Sequence, residues 1–231
     1  LIKKIKSKKH NISFHGKFSK NINKNNTISK LLKILEKKKL LIHQKFQIKI
    51  IKRIPNKAGL GGGSMNAAVV LNYFLKQNII TLTNKKKFEI CKLVGSDVVL
   101  GLNFTNTILT SKNSIKYFKN NKKFYVLIVK PKFGCSTKFI YSKVKRFKKS
   151  KLNKPSKKMF ELNYLRKTSN DLESVAFNKY PMLKKIKLFL DNLSEALFVR
   201  MTGSGSALVV YFQSKKSCEK ANRQFRKKYK N

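Results

Sequence analysis

The stretch Pro55-Asn56-Lys57-Ala58-Gly59-Leu60-Gly61-Gly62-Gly63-Ser64 constrains this chain more than any other. Ahead of it the apolar pattern alternates: Phe46, Ile48 and Ile50 face one way, Gln47, Lys49 and Ile51 the other, which predicts a strand over 46–52. Behind it Ala67, Val70, Leu71 and Phe74 recur at helical spacing, which predicts a helix running to about Gln77. The glycines therefore form a loop that feeds directly into a helix N-terminus. Four glycines within Gly59–Gly63 leave the backbone free to approach an anion and to adopt positive φ. The first-turn N–H groups and the helix dipole then favour negative charge. Ser64 is placed to cap that helix or to touch a phosphate, and Lys57 adds charge at the entrance. The bland alternative is a turn that lets two elements pack, but it needs fewer glycines than are present.

The commonest nucleotide loops are excluded by spacing. A Walker loop ends in Gly-Lys-Ser/Thr, whereas Gly63-Ser64-Met65 stands here. Three separated glycines followed by a distant acid, the Rossmann fingerprint, are also missing. Two further segments carry chemistry. Asp97 lies in the apolar window Gly95-Ser96-Asp97-Val98-Val99, where a lone carboxylate is costly unless paired. It reads either as the cap of a short helix starting at Val98 or as a group placed to accept a proton from a substrate hydroxyl. Thr202-Gly203-Ser204-Gly205 precedes the strand Leu208–Phe212 and again exposes backbone N–H groups; alone it is a weak signal.

Composition bounds the rest. The chain has 231 residues, enough for one large or two modest domains, and no apolar run is long enough to span a membrane. Cys91, Cys135 and Cys218 are widely spaced among apolar residues without metal spacing, which predicts reduced, buried thiols and suits a cytoplasm. His10, His15 and His43 have no partner at catalytic or metal spacing and read as surface or loop residues. Lys and Arg number 55 against 9 Asp and Glu, a net charge of +46. That charge predicts attraction for polyanions, including non-specific, salt-dependent nucleic-acid binding. Yet the lysines are spread evenly, and the abundance of Lys, Asn, Ile and Phe suits A/T-rich codons at least as well.

In chain order, Ile2–Ile12 reads as a lysine-laced strand pattern already under way. Asn26-Thr27 caps a helix carrying Ile28, Leu31, Leu32 and Leu35, and Asn84 caps another through Phe88, Cys91 and Leu93. Strands are predicted over 107–111 and 124–130, with a domain boundary in the charged segment 119–123. Pro131 ends the second strand and Thr137 opens a short helix containing Tyr141. A polar loop covers 145–158, and Ser169–Glu173 caps a helix. Pro181 starts another helix with Leu183, Ile186, Leu190 and Leu193, and a last, basic helix runs from Ser217 to about Tyr229.

The glycine segment resembles the phosphate loop of the GHMP kinases, Pro-x-x-x-Gly-Leu-Gly followed by serine and small residues. The triple glycine with Asn66-Ala67-Ala68 is similar to the branch acting on 4-diphosphocytidyl-2-C-methyl-D-erythritol. Gly95-Ser96-Asp97-Val98-Val99 resembles the family's catalytic Gly-Ala-Asp-Val-Pro segment, and Thr202–Gly205 its Thr-Gly-x-Gly motif. Pro131, Thr137 and Tyr141 match the spacing by which that branch places an aromatic on cytosine. The resemblance implies a two-domain α+β fold: residues 1–121 like domain 2 of ribosomal protein S5, then a ferredoxin-like domain over 122–231. It implies ATP and Mg²⁺ as cofactors, with Pro55, Lys57, Ala58, Gly59, Leu60, Gly61, Gly62, Gly63, Ser64 and Asn66 at the nucleotide. Asp97 would be catalytic, with Thr137, Tyr141, Thr202, Gly203, Ser204 and Gly205 at the substrate. Met65 stands where relatives carry a serine able to reach the metal, so the metal ligands stay undefined. The family's first motif, a lysine and a Tyr-His pair, would lie ahead of Leu1. Other readings are a GHMP kinase for homoserine or mevalonate, and a basic RNA-binding protein on an S5-like fold.

Overall fold

The computed structural model describes residues 1–112, 114–119, 123–145 and 149–229. Its contacts divide the chain into two units: Leu1–Asn56 with Gly61–Phe104, and Lys57–Leu60 with Thr105–Asn231. The sequence-based boundary between 121 and 122 lies outside the described residues.

In the first unit the opening pattern is two strands, β1 (Ile2–Ile5) and β2 (Asn11–His15), rather than one. They flank β3 (Lys45–Ile51), β1 antiparallel and β2 parallel to it, so the chain must reverse between them. The lysine-rich 6–10 segment makes that reversal. Helix α1 (Thr27–Lys37) begins where Asn26 accepts from the Ile28 and Ser29 amides, as a cap residue should. Helix α2 (Gly62–Lys76) follows β3 across the glycine segment. The cap of α3 (Asn84–Val94) is Thr83, whose hydroxyl accepts from Lys86, and not Asn84, which is already helical. A 3-10 turn, Val98–Gly101, closes the unit.

The periodic residues meet as their spacing requires. Leu31 and Leu35 of α1, Ala67, Leu71 and Phe74 of α2, and Cys91 of α3 are fully buried, with Phe46 and Ile48 beneath them. The Phe46 and Phe74 rings pack tilted at 40°, with centroids 4.7 Å apart. Each large side chain in such a core stabilises by about 1.5–3 kcal/mol. Burial pushes the Cys91 thiol up to about 11, so it packs as a hydrophobe.

His10 is corrected from a surface residue to a packed one. Its side chain is only 9% exposed and lies parallel to the Phe46 ring. The Phe46 amide donates to its Nδ1 at 3.0 Å, and its Nε2 is 3.2 Å from Glu36, which also holds Lys45. Desolvation lowers the His10 pKa; Glu36 opposes the shift and Lys45 adds to it. The partners come from α1 and β3, so spacing along the chain could not reveal them.

The second unit contains a hairpin, β4 (Asn106–Leu109) with β5 (Ile115–Phe118), and an antiparallel sheet. That sheet has β6 (Tyr125–Val129) and β7 (Phe198–Met201) on either side of β8 (Leu208–Phe212). Between β6 and β7 run α4 (Thr137–Ser142), α5 (Leu162–Lys167), α6 (Glu173–Lys179) and α7 (Pro181–Asp191), and α8 (Lys215–Lys228) follows β8. Leu208, Val210 and Phe212 are fully buried with Val129, Val199 and Met201 against Ala176, Leu183, Leu190 and Ala221 of the helices. By strand alternation, Phe198, Arg200 and Tyr211 occupy the other face. The elements β5, α5 and β7 were not anticipated; each has four to six residues, too few to show a period. No helix among the described residues is long and apolar enough to cross a membrane.

Candidate functional site

The two units divide the glycine segment, and each half has its own structural logic. In the first unit Asn56 donates to the carbonyls of Phe18 and Lys20, which pins the loop's entry. Gly61, at φ +65°, is the N-cap of α2 and lends no side chain. This corrects the expectation that Ser64 caps the helix: a left-handed glycine turns the chain three residues earlier, and Ser64 lies inside the first turn. The first helical bond runs from Met65 N to Gly61 O. The amides of Gly62, Gly63 and Ser64 are thus left without helical partners, and no acidic side chain stands in that turn. Thr27 holds the turn by donating to the Gly63 carbonyl at 2.7 Å.

Asp97 takes the N-cap position of the 3-10 turn, but its carboxylate makes no capping bond. It is exposed, with the Ser96 hydroxyl donating to it at 3.2 Å. The capping reading therefore fails, and the carboxylate stands exposed. Met65 turns its thioether toward Gly101, where an added Cβ would come within 2.8 Å of sulfur; it packs behind the turn that carries Asp97. Asn66 is half-buried within the first two turns of α2.

Lys52 went unnoticed in the sequence. It continues the inward phase of β3 one step past the strand, its amide donating to the His15 carbonyl at 2.7 Å. The residue is 6% exposed, and desolvation lowers its pKa. Its ammonium lies 3.5 Å from where a Cβ on Gly62 would stand. The available signal was a lysine in an apolar phase immediately before the glycines, hidden among many others.

In the second unit Lys57–Leu60 lies along the Thr202–Ala207 turn. Thr202 Oγ1 donates to Gly59 O at 2.9 Å, Ala207 N to Ala58 O at 3.1 Å, and Ser206 N and Cys135 N to Lys57 O. Ala58 is buried, while Lys57 and Gly203 are exposed. The fit leaves no room: a Cβ on Gly59 would stand 2.0 Å from the Thr202 carbonyl oxygen. Thr137 and Ser204 share a hydroxyl–hydroxyl bond of 2.8 Å; Thr137 is the first residue of α4, which Ser136 caps. Gly205 is buried against Met201 and Cys135. The Asn170–Glu173 segment does more than start a helix. Asn170 donates to the carbonyls of Met201 and Gly203 at 2.8 and 2.7 Å, and Glu173 accepts from Met201 N at 2.7 Å.

A cleft of about 540 Å³ opens beside this turn, lined among others by Tyr141, Thr202, Gly203 and Arg200 and by the rings of Phe198 and Tyr211. Those two rings stack at 4.3 Å, and Arg200 sits 5.1 Å over Phe198. Arg200 also donates to Leu165 O and to Thr168, fixing the end of α5. Tyr141 is 52% exposed at the cleft, which excludes the reading of it as a core aromatic.

Comparison with known proteins gives matches in sequence and in fold. The GHMP kinases N-terminal domain model matches residues 26–105, and the GHMP kinases C-terminal model matches 144–231. The chain is 56% identical to 4-diphosphocytidyl-2-C-methyl-D-erythritol kinase of Pelagibacter ubique, over 97% of this chain and 80% of that protein. It is 34% identical to the protein of that name from Petrotoga mobilis, over 81% and 76% of the two chains. Among solved structures, a 4-(cytidine 5'-diphospho)-2C-methyl-D-erythritol kinase superposes with a TM-score of 0.72 at 23% identity, covering 98% of this chain and 81% of that one. A homoserine kinase from Cytophaga hutchinsonii gives 0.69 at 15% identity, covering 99% and 80%.

Proposed function

The chain belongs to the GHMP kinase family, and on that premise we infer that it transfers the γ-phosphoryl group of ATP to the 2-hydroxyl of 4-diphosphocytidyl-2-C-methyl-D-erythritol, in non-mevalonate isoprenoid biosynthesis. The likeness to the Pelagibacter kinase over nearly the whole chain carries the substrate assignment. The glycine segment opening α2 carries the nucleotide. ATP phosphates lie along Gly59–Ser64, where free amides and the helix dipole offset their charge. Pro55, Asn56 and Leu60 hold that segment's course, and Asn66 supports it from within α2. Asp97 accepts the proton of the substrate hydroxyl as its oxygen attacks the γ-phosphorus and ADP departs. Tyr141 stacks on the cytosine, and Thr137 and Thr202–Gly205 form the wall behind the substrate.

Mg²⁺ commonly takes one or two carboxylates together with the nucleotide's own phosphates. The donor set here fits such sparse ligation: Asp97 offers an exposed carboxylate, whereas the Met65 thioether is turned into packing. When bound, the ion supplies neutralisation of charge at the γ-phosphate. The net charge of +46 adds a non-specific, salt-sensitive attraction for nucleic acid. A cytoplasmic location fits the free cysteines.

The test is ADP release with ATP, Mg²⁺ and the cytidine substrate, comparing wild type with Asp97→Asn, and with homoserine and mevalonate as competing acceptors. We expect turnover on the cytidine substrate alone and a loss of at least about 100-fold in the variant. Turnover on homoserine or mevalonate instead sinks the substrate assignment. An unimpaired Asp97→Asn enzyme sinks the role of Asp97.

A further inference from the structure

Side chains alternate along β7: Val199 and Met201 are buried in the core of the second unit, and Phe198 and Arg200 face the other side of the sheet. Arg200 is half-buried there, because the segment 165–173, which joins the end of α5 to the start of α6, lies against it. Its guanidinium donates to the Leu165 carbonyl at 3.0 Å and to both the hydroxyl and the carbonyl of Thr168. The Thr168 hydroxyl donates in turn to the Leu165 carbonyl at 2.7 Å. The guanidinium also lies 5.1 Å over the Phe198 ring, which stacks on Tyr211. A planar fork with several donors serves two carbonyls, a hydroxyl and a ring together, whereas a point charge does not. Hydrogen bonds from a charged donor are about twice as strong as neutral ones, so this fork is a firm hold on the segment.

The same segment grips the backbone that follows Arg200. Asn170 donates to the Met201 and Gly203 carbonyls, Glu173 accepts from the Met201 amide, and the Leu172 amide donates to Asn170 Oδ1 at 3.0 Å. Residues 169–172 of the segment and Tyr141 line the same cleft of about 540 Å³. We propose that Arg200 is a positioning residue for the phosphoryl transfer inferred above: its guanidinium holds the 165–173 segment to β7, and the segment sets the Thr202–Gly205 turn and the width of the cleft beside Tyr141. The proposal rests on that reading of the function and adds a residue whose donors are spent on the protein, not on a ligand. Arg200 acts on the acceptor side. The Lys57–Leu60 stretch is tied to the turn by the Ala207-to-Ala58 and Ser206-to-Lys57 bonds as well, in which the segment takes no part.

The experiment is steady-state kinetics with ATP, Mg²⁺ and the cytidine substrate for wild type, Arg200→Met, Arg200→Lys, Thr168→Val and Arg223→Met. Each protein is assayed well below its own thermal midpoint. Methionine keeps an apolar stem over Phe198 and removes the fork, and Arg223 is an exposed arginine of α8 that reports the loss of one charge alone. Arg200→Met should raise KM for the cytidine substrate by about 10-fold to 100-fold, the scale of a lost hydrogen bond to a charged group and of a small misplacement. KM for ATP should stay within about 2-fold, and Arg223→Met should behave as wild type. Arg200→Lys keeps the charge on a single point donor and should fall between the two. Thr168→Val removes one acceptor and should shift KM for the cytidine substrate in the same direction by less.

An arginine that merely holds the fold gives a different pattern. Its loss lowers the thermal midpoint and the fraction of active enzyme, so the apparent kcat drops while both KM values stay put. That pattern overturns the proposal. So does a rise of both KM values together, which places the effect on the whole unit, and so does Arg200→Lys equal to wild type, which makes the fork irrelevant. Wild type without turnover on the cytidine substrate removes the reading of the function, and the proposal with it. Active wild type with an unimpaired Arg200→Met removes the proposal alone.

Discussion

Two glycines of the Pro55–Ser64 segment share a left-handed conformation but differ in their surroundings, and replacing each by alanine separates the two effects. Gly59 has φ +71° and Gly61 φ +65°. An L-residue in that region costs about 1–2 kcal/mol, the whole penalty expected for Gly61→Ala, whose Cβ would meet nothing nearer than Met65 at 4.0 Å. At Gly59 the Cβ would stand 2.0 Å from the Thr202 carbonyl oxygen and 2.9 Å from its carbon. Both are main-chain atoms, so no rotamer relieves the overlap. The strands of backbone must part by about 1 Å to restore contact distance, more than a hydrogen bond tolerates. The bonds Thr202 to Gly59, Ala207 to Ala58 and Ser206 to Lys57 are then lost, each contributing about 0.5–1.5 kcal/mol. Gly59→Ala should therefore destabilise by about 3–6 kcal/mol and Gly61→Ala by about 1–2. Urea unfolding followed by tyrosine fluorescence suits a chain with 8 Tyr and no Trp. If Gly59→Ala is no worse than Gly61→Ala, the packing of Lys57–Leu60 on the Thr202–Ala207 turn is refuted.

Three other outcomes follow from the same geometry. Asn170→Ala removes two donors from the Met201 and Gly203 carbonyls and should speed amide exchange of the 202–207 turn by about 10-fold or more; a turn exchanging as in wild type would show that Asn170 does not pin it. Tyr141→Ala should raise KM for the cytidine substrate by about 5-fold to 100-fold, the range of one stacked base, with Tyr141→Phe near wild type and KM for ATP unchanged; equal effects in both variants would rule out stacking. His10 has its pKa lowered by burial, so the unfolded chain binds its proton first. The stability it contributes is complete above about pH 6.5 and is lost as pH falls from there through the folded pKa, at no more than about 1.4 kcal/mol per unit. Denaturation midpoints at successive pH values should show that slope in wild type and lack it in His10→Gln, and identical slopes would deny the lowered pKa.

Some of this was legible in the sequence for a physical reason: a helix or strand that buries one face must repeat, and repetition survives without knowledge of partners. Phe46 and Ile48 ahead of the glycines and Ala67 to Phe74 behind them announced β3 and α2 in that way. The short strand Phe198–Met201 could not, because four residues hold too little of a period. Asn170 and Glu173 were legible only in part. Their residue types do favour a helix start, yet their strongest bonds reach about thirty residues ahead, to the Met201–Gly203 backbone. Asp97 was open between a cap and a group facing a substrate, and the missing capping bond removes only the first.

His10 and Lys52 show where composition obscures a signal that periodicity still carries. Both are polar residues that ended up packed, and both looked ordinary in a chain with 55 basic residues. His10 meets its neighbours within the protein, since Phe46, Glu36 and Lys45 all come from its own unit. Lys52 is 6% exposed, and desolvation is what lowers its pKa. A lysine on the inward phase of a strand, one residue past its end and just before a run of glycines, should be read against that phase and not against the background of other lysines. Phase says the side chain is buried, electrostatics says that a buried cation needs an anion, and the adjoining helix end supplies free amides instead of a carboxylate.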